Sequence, residues 1–292
     1  MPWLINPAQL DKFRKNQKNL IILDASFHHG GRNAQQEFLE KHIIDAQFFD
    51  VDVFSDHSPE AVHPHMLIRD EKRISELLGN LGIRNDYKIM LYDNSDLHSA
   101  CRALWQFKMF GHNSNLLYIL DGGFQAWEKA GGKTESGQPT VTPKTYTARF
   151  EPAFLRTLTE IKANLANPTE QIVDVRHPVR YSGGPESRAH IRSGHVPGSY
   201  CFPLVSMFDK EGYFLPIEKI RKKCIEIGID LNTPIITSCG SGMTAPVLNF
   251  LLDLMNYPQH AMYNGSWTEW GAEGLFAGEL SLLERPVETC VD

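Results

Sequence analysis

No run of apolar residues in this chain approaches the roughly 18 that a membrane-spanning helix requires, so the sequence predicts no transmembrane segment. Clustered cation is missing as well. The densest basic run is Arg221-Lys222-Lys223, and 29 Lys plus Arg against 35 Asp plus Glu leave a formal charge of −6. Binding to a phosphate backbone needs clustered positive charge, so neither nucleic acid nor membrane is expected as a partner. Cysteine is scarce: five residues, Cys101, Cys201, Cys224, Cys239 and Cys290, odd in number and without Cys-x-x-Cys spacing. Neither a disulfide framework nor a zinc ribbon is indicated. The first ten residues have no basic stretch ahead of an apolar core, unlike a signal peptide. A reducing compartment and a cytoplasmic location are expected.

What is present is repetition. At roughly 150 residues per domain, 292 residues predict about two domains. Leu81-Gly-Ile-Arg-Asn-Asp-Tyr-Lys-Ile-Met-Leu-Tyr-Asp93 resembles Ile227-Gly-Ile-Asp-Leu-Asn-Thr-Pro-Ile-Ile-Thr-Ser-Cys239, and the segment Tyr118–Trp127 resembles Met262–Trp270, with Gly122 over Gly265 and Trp127 over Trp270. Ile21–Ala25 pairs with Gln171–Val175, and the stretch from His42 with the stretch from His195. The offsets, about 143 to 153 residues, are one domain length. Short runs of Ile, Leu and Val (Leu20–Leu23, Lys88–Tyr92, Leu116–Leu120, Gln171–Val175, Pro234–Thr237) alternate with segments of helical period such as Val247, Leu248, Leu251, Leu252 and Met255. Strands apolar on both faces and separated by helices predict an α/β fold whose parallel sheet is covered on both sides. The expected division is a first domain over 1–135, a linker over 136–155 that includes part of a Gly/Pro/Ser/Thr-rich stretch, and a second domain over 156–292.

Chemistry concentrates at Ile235-Ile-Thr-Ser-Cys239-Gly-Ser-Gly-Met-Thr-Ala245, an apolar strand ending on a cysteine, a glycine-rich turn, then a helix. The carboxyl end of a parallel strand is the usual ligand position in open α/β sheets. Gly240 and Gly242 let the backbone curl so that successive N–H groups point inward, and the helix terminus behind them favours a thiolate. Cys239 is therefore a candidate nucleophile. A merely buried thiol, the bland alternative, does not explain the glycines. The first copy has Asp93 at the corresponding place, so one copy is expected to be active and the other degenerate.

The repeat and the Cys-Gly-Ser-Gly-Met-Thr-Ala loop resemble the tandem rhodanese family, and within it the 3-mercaptopyruvate sulfurtransferases, whose loop usually has Val where this chain has Met243. Further similar segments are His42–Asp50, Ser55-Asp56-His57, Pro64-His-Met66, Gly194–Gly198 and Asn264-Gly-Ser-Trp267. The resemblance implies two tandem rhodanese-like domains, each a parallel five-stranded sheet flanked by helices, with catalysis in the second. Thiosulfate-specific relatives typically carry basic residues after the cysteine; here Gly240 and Ser241 are neutral. Phosphatase relatives close an Arg clamp behind the loop, and Thr244-Ala245-Pro246 supply no cation.

The same resemblance assigns the site. Arg180, in Val-Arg-Tyr, and Arg188, in Glu-Ser-Arg, match the arginines that hold the carboxylate and ketone of the donor; for Arg176, Arg188 and Arg192 the alternative is a surface ion pair, the commonest place for an arginine. Gly240, Gly242, Met243 and Thr244 complete the loop. Asp52, His65 and Ser241 match a protease-like relay, with His63 as a competing histidine. A zinc reading of His57, His63 and His65 lacks a ligand pattern, and His28-His29 is expected to be a solvated pair. The implied activity is transfer of the sulfur of 3-mercaptopyruvate through a Cys239 persulfide to a thiol, thioredoxin or cyanide, with pyruvate released and neither cofactor nor metal required. Thiosulfate:cyanide sulfurtransfer and a non-catalytic sulfur carrier or regulatory module remain the alternatives.

Overall fold

The computed structural model describes residues 3–15 and 17–290. The chain divides into two compact units: Met1–Ser55, Leu67–Glu151 and Lys210–Phe214 form the first, and Asp56–Met66, Pro152–Asp209 and Leu215–Asp292 the second. Each unit thus includes one short segment from the other half of the sequence.

The first unit is organised by a parallel sheet of β1 (Leu4–Ile5), β2 (Leu20–Asp24), β3 (Ala46–Phe48), β4 (Lys88–Tyr92) and β5 (Leu117–Leu120), in the order β1-β5-β4-β2-β3. The second has β6 (Leu155–Arg156), β7 (Gln171–Asp174), β8 (Tyr200–Cys201), β9 (Ile235–Ser238) and β10 (His260–Tyr263), in the order β6-β10-β9-β7-β8. The two orders are the same, so the repeat read from sequence is a repeat of topology. The interior strands coincide with the apolar runs to within a residue because both faces are covered: Ile89, Met90, Leu91 and Tyr92 are fully buried, as are Ile235 and Ile236. Four strands of two or three residues lie beside them, too short to show a period. β10 is fully buried yet escapes the pattern, because it opens on His260 and contains Ala261.

Matching residues perform matching work in the two cores. His42 Nδ1 lies 2.6 Å from the Phe38 carbonyl, its ring stacked 3.9 Å from that phenyl, and His195 Nδ1 lies 2.7 Å from the Tyr181 carbonyl, its ring stacked at 3.8 Å. Trp127 and Trp270 each donate the indole N–H to a main-chain carbonyl, those of Lys133 and Pro286. Gly82 and Gly228 follow the matching helices Glu71–Asn80 and Ile217–Ile227 at φ of +71° and +93°, a left-handed conformation that glycine adopts without a Cβ penalty.

The region expected to be a linker is largely bound. Just before it, Thr134–Glu135 pairs antiparallel with His42–Ile43, and within it the chain from Lys144 to Glu151 runs along the first unit. Lys144 N–H donates to Gly79 O, Arg149 N–H to Phe110 O and Glu151 N–H to Met109 O, with Tyr146 and Ala148 buried. The Gly/Pro/Ser/Thr-rich residues before Lys144 hid this, and the backbone of the strap is satisfied by partners distant in sequence. Among the described residues no helix is long and apolar enough to cross a membrane.

Candidate active site

Cys239 directly follows β9 and is 1% exposed. The loop from Gly240 to Thr244 leads into the helix Ala245–Leu254, which is buried all round from Ala245 to Leu252. Gly242 takes φ +74°, as the turn requires. Met243 is buried beneath the loop, while Ser241 and Thr244 are half-buried.

A serine not singled out as a site residue from sequence fixes this loop. Ser266 Oγ accepts from the N–H of Cys239 (3.2 Å) and of Gly242 (3.1 Å), donates to Tyr263 O (2.8 Å), and lies 3.9 Å from Cys239 Sγ. Ser266 has φ +52°. A non-glycine residue held there costs of order 1–3 kcal/mol and persists where its surroundings over-determine it, often at functional sites. The available signal was the repeat, which places Ser266 over Gly123, a glycine at φ +59°.

Arg180 and Arg188 converge beside the loop. A Cβ added to Gly240 would lie 3.7 Å from two guanidinium nitrogens of Arg180 and 3.8 Å from one of Arg188, which places both side chains against this loop residue. Glu186, 3% exposed in its side chain, joins them: it accepts from Arg180 Nη2 at 2.8 Å and from Arg188 Nε and Nη2, each at 3.0 Å. Burial alone would raise the Glu186 carboxyl, but the hydrogen bonds from Arg188 and Arg180 outweigh it and hold the group down to about 2. Arg188 also donates to Gly240 O (3.2 Å) and to Thr268 Oγ1, which itself donates to Gly240 O at 2.7 Å. Arg180 keeps a buried Nε without an acceptor. Arg188 is therefore anchored, and Arg180 has a donor to spare.

The other two arginines, Arg176 and Arg192, are bonded to main-chain carbonyls. Arg176 is not a surface ion-pair residue: it is buried, bonded to Asp174 and Gly194 O, with its guanidinium carbon 4.5 Å from the Trp267 ring centre. Arg192 donates to the carbonyls of Trp270 and Gly271. His28, expected in solvent, is 6% exposed in its side chain and lies 3.2 Å from Glu37.

His63 and His65 belong to the second unit. His63 Nδ1 accepts from the His65 N–H at 3.1 Å, so its Nε2 carries the proton it offers to Asn264 O, also at 3.1 Å, and Asn264 donates back to His65 O. Both ring nitrogens of His63 thus serve the turn. The bonds to Asn264 tie this turn to the loop that carries Ser266. Asp52 lies in the first unit, in the turn after β3, where its N–H donates to Asp50 Oδ1. Among the other cysteines, burial pushes the Cys101 thiol far up and those of Cys201 and Cys224 to about 11, which disfavours the nucleophilic thiolate.

Comparison with known proteins places this arrangement. The rhodanese-like domain family matches residues 6–130 and again 157–273. Human 3-mercaptopyruvate sulfurtransferase is 38% identical over 256 residues, covering 86% of this chain and 84% of the relative. A mitochondrial thiosulfate/3-mercaptopyruvate sulfurtransferase of Arabidopsis thaliana is 37% identical over 282 residues, covering 88% of this chain and 73% of that one. Rat thiosulfate sulfurtransferase is 34% identical, with 86% and 85% covered. The crystal structure of SseA from Escherichia coli, described as a 3-mercaptopyruvate sulfotransferase of the rhodanese fold, superposes with a TM-score of 0.78 at 30% identity, covering 92% of this chain and all of that one.

Proposed function

This chain belongs to the rhodanese family of sulfurtransferases, with one rhodanese-like domain in each copy of its repeat, and we propose that it takes sulfur from 3-mercaptopyruvate through a persulfide on Cys239. The observation that carries the choice of donor is the pair of arginines against a neutral loop. Arg180 and Arg188 flank Gly240, and residues 239–245 contain no ionisable group besides the thiol.

In the proposed reaction the Cys239 thiolate attacks the sulfur of the donor, forming an S–S bond as the donor's C–S bond breaks. The released electron pair becomes the enolate of pyruvate, and the sulfur stays on the enzyme as Cys239–S–SH. Arg180, and Arg188 behind it, hold the carboxylate and the developing enolate oxygen. Ser241, assisted by His65, hands a proton to the enolate; Asp52 is the acidic member of that relay by family pattern. Because Ser266 engages the N–H groups of Cys239 and Gly242, those of Ser241, Met243 and Thr244 receive the outer sulfur. An acceptor thiolate, a small thiol or thioredoxin, or cyanide, then attacks that sulfur and restores the Cys239 thiolate, giving ping-pong kinetics. In this reading residues 1–135 are the degenerate copy, 136–155 the connection and 156–292 the catalytic copy. The location is the cytoplasm, where thiol acceptors stay reduced.

The test is a donor comparison. Pyruvate and thiocyanate release from 3-mercaptopyruvate should exceed thiocyanate release from thiosulfate by at least about tenfold in kcat/KM, a factor worth about 1.4 kcal/mol of transition-state binding. A preference for thiosulfate would move the reading to thiosulfate:cyanide sulfurtransfer, and no turnover with either donor by a folded protein would move it to a non-catalytic carrier.

A further inference from the structure

The charge of the cluster beside Cys239 is set by three groups: two guanidinium cations and the carboxylate of Glu186 between them. Glu186 is almost fully enclosed, yet it bonds to both arginines, and the neighbouring loop adds no other side-chain charge apart from the cysteine. The cluster therefore carries one net positive charge rather than two.

We propose that Glu186 is a specificity-determining residue that matches the site to sulfur donors bearing a single negative charge and excludes dianionic donors. An anion lying against Gly240 meets the guanidinium groups that the Glu186 carboxylate holds. One negative charge on the ligand neutralises the cluster. A second faces Glu186 with no cation left to offset it, and in a partly desolvated site that repulsion is not screened as it is in water. Discrimination of this kind works through a repulsive group rather than a tighter attraction. Glu186 also positions the arginines, so removing its charge and removing its hydrogen bonds are separate perturbations. The proposal rests on the reading of Cys239 as the sulfur-accepting thiol.

The test compares the wild type with Glu186→Gln, which keeps the shape and drops the charge, and Glu186→Asp, which keeps the charge. The ratio of kcat/KM for thiosulfate to that for 3-mercaptopyruvate should rise about tenfold in Glu186→Gln, through KM for thiosulfate, and stay near the wild-type value in Glu186→Asp. A binding readout separates this from the reading beneath it: protection of Cys239 from iodoacetamide by sulfate, a dianion, relative to pyruvate, a monoanion. Stronger sulfate protection in Glu186→Gln upholds the charge proposal even if neither donor forms a persulfide, an outcome that would instead remove the sulfurtransfer reading. An unchanged donor ratio together with unchanged sulfate protection, or a parallel loss with both donors, overturns the proposal.

Discussion

The loop after β4 and the loop after β9 occupy the same place in sheets of the same order, and they are tied down in opposite ways. In both, the residue just past the strand receives a backbone hydrogen bond from the start of a later helix: Phe124 N–H to Asp93 O at 2.9 Å, and Trp267 N–H to Cys239 O at 3.0 Å. In the first unit the strand-end side chain itself fastens the loop, since the Asp93 carboxylate accepts from the N–H of Ser95 (3.0 Å) and of Ala100 (2.8 Å). In the second, that task passes to Ser266, standing where the first unit has Gly123. A residue that must hold its own loop together is committed to structure. Cys239 is relieved of that duty by its neighbour, and its thiol is left for chemistry.

The surroundings follow the same division. Asp93 lines a cavity of about 210 Å³ with Asp96, Glu211 and a His98 whose protonation burial suppresses to about 4, whereas Cys239 lies near two arginines. Burial, opposed by the hydrogen bonds from Ala100 and Ser95, pushes the Asp93 carboxyl up to about 7. An acidic pocket that resists ionisation is a poor place to generate a thiolate.

The contrast is most sharply tested by moving the thiol. Cys239→Ser should lower sulfur transfer by about 10³-fold or more with unchanged far-UV circular dichroism, and adding Asp93→Cys to it should restore nothing; recovered turnover would show that position alone makes the nucleophile. Arg180→Gln should reduce kcat/KM for 3-mercaptopyruvate by about 10²-fold, most of it in KM, as steady-state kinetics will show. Ser266→Gly, which copies the first unit, removes the strain along with two loop hydrogen bonds. It should leave the melting temperature within a few degrees and lower kcat by about tenfold, and a variant with wild-type kcat would mean that the loop holds itself.

The smallest effect belongs to the first unit. A carboxyl raised in the folded state contributes stability that is full below its ordinary value of 3.8 and is lost as pH rises through about 7. Between pH 4 and 7, Asp93→Asn should therefore flatten the fall in stability by up to about 1.4 kcal/mol per pH unit relative to the wild type. His98, lowered by burial, acts in the opposite direction in both proteins and cancels in the difference. Urea titrations at several pH values check this, and sulfur transfer should not change.

Much of this could be read from the chain. The interior strands, the repeat and the Cys239 loop are local signals: apolar runs, a period, a glycine pattern. What escaped depends on residues brought together by folding. Glu186 stood in view only as the context of Arg188, and its role needs Arg180 six positions away to turn toward the same carboxylate. Ser266 lies 27 positions after Cys239, and in the sequence only its place over Gly123 in the repeat marks it. Arg176 reads as an ordinary surface cation until its partner Asp174 and the ring of Trp267 are seen enclosing it. The strap from Lys144 to Glu151 shows no apolar run or helical period, and residues distant in sequence, Gly79, Met109 and Phe110, bind its backbone.

The most direct measurement is the intact mass of the protein after brief mixing with 3-mercaptopyruvate and removal of small molecules. The account predicts an addition of one sulfur, about 32 Da, in the wild type, absent in Cys239→Ala, retained in Asp93→Asn and discharged by a thiol. No added mass in the folded wild type, or the same addition in Cys239→Ala, would contradict it.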